Sequence, residues 1–366
     1  MIDLKDISYM EMAYALAERA KGWASPNPYV GAVVVKRGAI VGYGYHEGPG
    51  KPHAEALAFQ RAGSRAHNST VYITLEPCVH WGRTPPCVDV ILQNRPKKIF
   101  ISALDPNPLV YKKGVKKIKE AGIDVSLGLL QEKNKHLNQT YIKYITQGIP
   151  YVAAKMAVSL DGKIATKKYS SRWISSAKTR EYVHLLRGEF DAILIGINTL
   201  LKDNPRLTIR HPNWGEKNLI RVIVDSKLRF PLKAKILSTL HRGKIIVFTL
   251  PQSSPSKAEA LRQKGIEVVS LKSSTSQVEL KKVLQWLGNH QISSVLVEGG
   301  GHLLTSMLEK RLVDKIFITI SPKLIGGETA PSLLAGKGVN YIKNSLKLKD
   351  TDVFQIDEDI IIKGYF

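Results

Sequence analysis

Thr74-Leu75-Glu76-Pro77-Cys78-Val79-His80-Trp81-Gly82-Arg83-Thr84-Pro85-Pro86-Cys87 holds both cysteines of the chain, with eight residues between them. Two cysteines are too few for a disulfide framework, so metal binding or a plain structural role is expected of them. Upstream stands His53-Ala54-Glu55. One imidazole, from His53, and two thiolates, from Cys78 and Cys87, make a three-ligand catalytic zinc site that leaves the fourth position for water. Zinc lowers the pKa of such a water until hydroxide is available near neutral pH. Glu55 is then the catalytic acid and base, taking the water's proton and passing it to a departing amino group. Residues two apart do not share a face in mid-helix, so His53 and Glu55 converge only if a helix starts there. Positive helix N-termini also favour thiolate and hydroxide. The plainer reading of the cysteines is an inert or disulfide-bonded pair.

Outward from this stretch, Met10, Ala13, Leu16, Ala17 and Ala20 recur at helical spacing and predict a helix over 8–21, broken by Pro26-Asn27-Pro28. Two strands, 30–35 and 39–45, flank the turn at Lys36-Arg37-Gly38. Alternation follows: helix 53–62, strand 70–75, helix 86–94, strand 98–102, helix 113–121, strand 123–127 and helix 130–146. That order implies a sheet covered by helices, with parallel pairing in its later part. Gly148-Ile149-Pro150 is a stop signal, which divides the chain into domains of 1–148 and 149–366. The second half reads as strands 151–157, 191–196, 220–224 and 244–248, helix 255–264, strand 266–270, helix 277–287 and strand 293–297. A helix at 302–310, a strand at 315–320 and a strand pair near 353–364 close it.

His-x-Glu followed by Pro-Cys is the signature of cytidine-deaminase-type zinc enzymes, whose cysteines are usually only two residues apart. The longer spacing here, with Pro26-Asn27-Pro28-Tyr29-Val30-Gly31, Gly44-Tyr45-His46 and Asp105-Pro106-Asn107-Pro108, closely resembles the bifunctional riboflavin-biosynthesis deaminase/reductases. The resemblance extends over essentially the whole chain and implies a cytidine-deaminase-like α/β/α domain. Its implied substrate is 2,5-diamino-6-(ribosylamino)pyrimidin-4-one 5′-phosphate, deaminated at the ring carbon bearing the 2-amino group. Asn27, His46, His80, Asp105 and Asn107 match substrate-lining positions of that family. Taken singly, Asn27 and Asn107 also suit turns beside prolines, and His46 and His80 suit exposed loops. The chain departs from the family at Tyr111 and Lys112, where a small residue and a glycine are usual.

In the second half no Gly-x-Gly-x-x-Gly follows a strand, so no Rossmann fold is expected. Leu296-Val297-Glu298-Gly299-Gly300-Gly301-His302 reads instead as a strand running through glycines into a helix, where backbone N–H groups can approach a phosphate. A flexible turn would explain the glycines alone. Several further segments resemble the reductase half of the same family: residues 155–165, Ser171-Arg172-Trp173-Ile174, residues 196–208 and Pro322-Lys323-Leu324-Ile325-Gly326-Gly327. The resemblance implies a dihydrofolate-reductase-like α/β domain, a central mixed sheet flanked by helices, that reduces the ribosyl group to ribityl with NADPH. By motif position Ala157, Trp173, Thr199, Asp203, Gly299, Gly300 and Gly301 would contact NADPH. Lys155, Ser171, Arg187, Leu207, Arg210 and Glu298 would hold substrate, the arginines through charge-assisted bonds to its phosphate. Trp173 also suits a core position, and Arg187 and Arg210 suit ordinary surface charges.

Composition sets the setting. Apolar residues make up 43% and charged residues 23%, the balance of an ordinary globular protein. No stretch is apolar enough to span a membrane, and Met1-Ile2-Asp3-Leu4-Lys5-Asp6 lacks a signal-peptide core, so a cytoplasmic protein is expected. The net charge of +23 raises nucleic acid as a partner, through a nucleic-acid base deaminase or an RNA-binding protein on a dead deaminase fold. Residues 1–148 hold 20 Lys/Arg against 12 Asp/Glu and the rest 34 against 19, so the charge is dispersed rather than gathered in one block. A phosphorylated small-molecule substrate fits that surface, and the intact His53, Glu55, Cys78 and Cys87 oppose a dead fold. No nucleic-acid partner is expected; the resemblance implies a homo-oligomer, a dimer or tetramer.

Overall fold

The computed structural model describes residues 3–366; Met1 and Ile2, the start of the N-terminal stretch read above, lie outside the described residues. The chain forms two compact units, Met1–Gly148 and Ile149–Phe366. Among the described residues no helix is long and apolar enough to cross a membrane.

The first unit opens with α1 (Leu4–Glu18). Its start lies ahead of the position predicted by apolar spacing because Asp3 caps it: the Asp3 side chain accepts from the Lys5 N–H, and Asp6 accepts from the Asp3 N–H. Strands β1 (Gly31–Lys36) and β2 (Ala39–Tyr45) form the expected hairpin, turned by Arg37 and Gly38, both at positive φ. There follow α2 (Ala54–Ala62), β3 (Thr70–Ile73), α3 (Cys87–Asn94), β4 (Lys98–Ile101), α4 (Lys113–Glu120), β5 (Asp124–Leu127), α5 (Gln131–Leu137) and α6 (Gln139–Gln147). The sheet order is β2-β1-β3-β4-β5, antiparallel up to β3 and parallel from β3 to β5.

Both faces of this sheet are covered. On one, Met10, Tyr14 and Ala17 of α1 pack on Val33, Tyr72 and Phe100. On the other, Ala58 and Phe59 of α2, Ile91 of α3 and Ile118 of α4 pack on Val34, Ile73 and Ile101. This is the expected α/β/α arrangement. Helix α2 lies against β2 at backbone contact: a Cβ at Gly42 would fall 2.1 Å from the Ala58 carbonyl oxygen. The single helix expected over 130–146 is instead two, divided at Asn138. Asn138 is buried, and its side chain accepts from the Tyr29 N–H (2.7 Å) and donates to the Tyr29 carbonyl (3.1 Å), a tertiary bridge that interrupts the helix.

The second unit contains β6 (Tyr151–Ser159), α7 (Ala177–Gly188), β7 (Ala192–Gly196), α8 (Ile197–Asp203), β8 (Ile220–Val224), β9 (Ile245–Thr249), α9 (Pro255–Gln263) and β10 (Glu267–Ser270). After these come α10 (Leu280–Asn289), β11 (Ser294–Glu298), α11 (Gly301–Glu309), β12 (Lys315–Ser321), β13 (Lys349–Ile356) and β14 (Asp359–Tyr365). One nine-stranded mixed sheet results, ordered β10-β9-β8-β7-β11-β6-β12-β14-β13. Pairing is parallel as far as β12 and antiparallel through β14 and β13. Its central strands are apolar on both faces, as the burial of β7 and β11 shows. Val283, Leu287 and Met307 of α10 and α11 cover one face, and Leu200 and Leu261 of α8 and α9 the other. Helices α7 and α8 are additional to the elements read from sequence. The first buries few apolar side chains, chiefly Val183 and Leu186, and the second is only seven residues long.

Candidate active sites

In the first unit the chemistry gathers beyond the C-terminal ends of β3 and β4, where open α/β sheets bind ligands. His53 is the N-cap of α2, with extended backbone, and Glu55 lies in the first turn, almost wholly buried. Cys87 is the first residue of α3. His53 Nδ1 lies 3.1 Å from Cys87 Sγ and 3.6 Å from Cys78 Sγ, and the Cys87 N–H donates to Cys78 Sγ at 3.3 Å. One ligand atom from each of the three residues falls within 4.8 Å of the others, and both cysteines are free thiols. Hydrogen bonding from Cys87 and from His53 pulls the Cys78 thiol well down, while Cys87, bonded to Cys78 and buried, is pushed up. One sulfur drawn toward thiolate and a second thiol beside a ring nitrogen form a donor set suited to zinc, whose binding would displace the remaining thiol proton. Burial raises the Glu55 carboxyl above its ordinary value, so this group takes and gives up a proton closer to neutrality.

Around this cluster the expected substrate residues are held by one another. His46 Nδ1 lies 3.2 Å from the Pro52 carbonyl, which can only accept; Nε2 therefore accepts from Asn27 Nδ2 at 2.9 Å. The His46 ring meets His53 edge-on at 5.1 Å, and burial lowers its pKa. His80 has a buried Nδ1 with no hydrogen-bond partner in the fold. Asp105 is buried; its carboxylate accepts from the Asn107 N–H (2.9 Å) and the Tyr141 hydroxyl (2.8 Å), and burial pushes its pKa up to about 6.

Glu76 was legible only as part of the motif, and the structure gives it work of its own. Its carboxylate accepts from the N–H groups of Asp105 (3.3 Å), Lys112 (3.0 Å) and Val115 (3.1 Å), tying the loop after β4 to the loop after β3. Lys112 sits at φ 62°, the left-handed conformation a glycine adopts freely. Its N–H bond to Glu76 helps hold it there.

In the second unit a cavity of about 1070 Å³ opens at the ends of β6, β7 and β11. Lys155, Ala157, Ser171, Trp173, Arg187 and Thr199 border it. So do Asp203, Arg210, Glu298 and the three glycines at 299, 300 and 301. Leu207 stands apart: its side chain is buried in the core with Ile209 and Trp214, which leaves only its backbone for any contact. Arg187 gives two bonds to Glu298 and a third to the Thr208 carbonyl (3.0 Å). Lys155 pairs with Glu298 in the β6–β11 register; burial lowers its pKa, and the Glu298 charge opposes that shift. Ser171 donates to Asp203 Oδ1 at 3.4 Å, and burial raises the Asp203 carboxyl. Trp173 is exposed, with the Arg180 guanidinium 4.4 Å from its ring centroid, so it is not a core residue.

Gly299 has φ 118°, and a Cβ there would lie 2.5 Å from Thr199 Oγ1; the next N–H, of Gly300, donates to that oxygen at 3.1 Å. Helix α11 starts directly after these residues, so the positive end of its dipole lies at the cavity wall. His184, Arg180, Lys202 and Ser226 also line the cavity and were not anticipated. His184 and Arg180 lie on α7, the helix absent from the sequence reading. Burial, then Arg187 and Arg210, hold the His184 pKa down to about 4, so its ring is neutral near pH 7.

Residues 4–103 match the cytidine and deoxycytidylate deaminase zinc-binding region, and residues 150–362 match the RibD C-terminal domain. The riboflavin biosynthesis protein RibD of Aquifex aeolicus is 44% identical over 362 residues, covering 99% of each chain. That of Actinobacillus pleuropneumoniae is 41% identical, covering 98% of this chain and 95% of the relative. The solved structure of Acinetobacter baumannii RibD superposes with a TM-score of 0.87 at 33% identity, over 99% of this chain and 98% of that one. A diaminohydroxyphosphoribosylaminopyrimidine deaminase/5-amino-6-(5-phosphoribosylamino)uracil reductase from Thermotoga maritima gives 0.86 at 35% identity, over 98% of both. With a zinc-type donor cluster in one unit, a glycine-lined cavity in the other and relatives matched over their whole length, this chain belongs to the RibD family of bifunctional riboflavin-biosynthesis deaminase/reductases.

Proposed function

We propose that residues 1–148 deaminate 2,5-diamino-6-(ribosylamino)pyrimidin-4-one 5′-phosphate and that residues 149–366 reduce the ribosyl group of the product, giving 5-amino-6-(5-phosphoribitylamino)uracil. The observation that carries the first half is the convergence of His53, Cys78 and Cys87 beside the buried Glu55. His53, Cys78 and Cys87 would hold zinc, which supplies Lewis acidity and makes water a nucleophile near neutral pH. Glu55 takes the proton that water loses and delivers it to the leaving amine, so a C–O bond replaces the C–N bond and ammonia departs. Asn27, His46, His80, Asp105 and Asn107 orient the pyrimidine and its ribose.

In the second unit Gly299, Gly300 and Gly301 with Thr199, Asp203, Ala157 and Trp173 would hold NADPH, which supplies hydride. The fit rests on the glycine cradle at the start of α11 and on a cavity of about 1070 Å³, roomy enough for cofactor and substrate. Arg187 spends three bonds on Glu298 and Thr208, so Arg210 is the freer cation for the substrate phosphate. Lys155 and Glu298 hold the sugar. A cytoplasmic, thiol-reducing setting suits free Cys78 and Cys87, and assembly into a homo-oligomer belongs to the same reading. Incubation with the diaminopyrimidine phosphate and NADPH should release ammonia and then consume NADPH. Ammonia release without NADPH loss would leave the reductase half unsupported.

A further inference from the structure

Eight residues separate Cys78 from Cys87, where two suffice for many zinc deaminases. The ends of this segment are already tied: the Cys87 N–H donates to Cys78 Sγ (3.3 Å), and the Val88 N–H donates to the Cys78 carbonyl (3.2 Å). The extra length is therefore not needed to bring the sulfurs together. What it does is return the chain over the outer edge of the His53 ring. Thr84 Oγ1 lies 3.1 Å from His53 Nε2, while Nδ1 of the same ring faces Cys87 and Cys78.

A neutral imidazole has one lone pair and one N–H. For Nδ1 to give its lone pair to a cation seated between the sulfurs, the proton must sit on Nε2 and needs an acceptor. Thr84 is placed to accept it. We propose that Thr84 is a positioning residue, fixing the His53 tautomer and ring orientation for zinc, and that the long inter-cysteine segment exists in part to supply it. The inference rests on the zinc reading above. Partners of this kind around metal-binding histidines set ligand basicity and direction, and their loss weakens metal binding roughly 10–100-fold.

The test is zinc affinity of the full chain, by competition with a chromophoric chelator, for the parent and for Thr84→Val, Thr84→Ala and Thr84→Ser. Cobalt(II) absorption serves as a second readout of ligand geometry. Val and Ala should each weaken zinc by roughly 10–100-fold and alter the cobalt spectrum. Ser, which keeps the hydroxyl, should restore both. The Ala and Ser pair decides the matter if Val disturbs folding. Parental zinc affinity in the Ala variant, or a loss in Ser equal to that in Ala, overturns the role of Thr84 and leaves the zinc reading standing. A parent chain that binds no zinc overturns both.

Discussion

Arg187 and Glu298 meet side-on, Nε to Oε1 at 2.7 Å and Nη2 to Oε2 at 2.8 Å, both side chains nearly buried at the wall of the second unit's cavity. The two residues are 111 positions apart and join α7 to the end of β11. Burial alone would raise the Glu298 carboxyl; the Arg187 charge and hydrogen bonds, with Lys155 behind them, outweigh that and hold it below its ordinary value. Glu298→Ala leaves a guanidinium buried without its partner, which costs about 3–5 kcal/mol. A carboxyl with a lowered folded pKa gives stability that is complete above its unfolded value, near 4.3, and is lost as pH falls through the folded one. Urea unfolding should therefore show a large gap between parent and variant at pH 7, narrowing in acid below about pH 4. A gap under about 1 kcal/mol at pH 7 would mean the pair is not a structural tie.

Gly299 combines positive φ with a close approach to Thr199. Gly299→Ala should cost about 1–3 kcal/mol of stability through backbone strain. It should also raise the KM for NADPH more than it lowers kcat, because the strain falls on the cradle proposed for the cofactor. Steady-state kinetics and thermal melts check this, and an unchanged KM would remove the glycines from the cofactor site.

Cofactor choice follows from the cations around the same cavity, where Arg180, Lys202, Arg210 and Lys310 all line the wall. An extra phosphate finds partners there, so kcat/KM should favour NADPH over NADH by at least about tenfold, the worth of one charge-assisted bond. Equal values for the two cofactors would contradict the reading.

His184 gives a pH signature. Burial and the neighbouring Arg187 and Arg210 depress its folded pKa to about 4, with Glu298 opposing them, while an unfolded histidine titrates near 6.5. The unfolded chain therefore takes up a proton that the folded chain refuses. Stability is intact above about pH 6.5 and falls as pH drops through the window down to about 4. Melting curves at pH 7 and pH 4.5 should show a smaller acid-induced drop for His184→Gln than for the parent. An equal drop would place the acid sensitivity elsewhere.

The zinc-type cluster was readable in the sequence because its residue types are rare and their order is informative: the only two cysteines, each preceded by a proline, and a single His-x-Glu. Both sheets were readable from alternating apolar runs. Local pattern could not report the contacts that act at a distance. Nothing beside Asn138 in sequence reveals that Tyr29 would claim its amide and split a helix. Nothing beside Glu76 announces that three N–H groups from 105 to 115 would converge on it. Helix α7 is half-buried and capped by Ser176, a signal present in the sequence but weak beside so few apolar positions. Missing it hid His184 and Arg180. Leu207 matched by motif, yet tertiary packing turned its side chain into the core.

Two independent chemistries on one chain are tested most directly by crossed variants. Glu55→Gln keeps His53, Cys78 and Cys87 but removes the carboxylate proposed to move protons; ammonia release should fall roughly 10²–10⁴-fold with zinc content unchanged. Given the already deaminated compound, the same variant should oxidise NADPH at close to the parental rate. Asp203→Ala should do the opposite, sparing ammonia release and impairing reduction. If Glu55→Gln, folded and metallated, failed to reduce the supplied deaminated compound, the division of labour at the Gly148–Ile149 boundary would be contradicted.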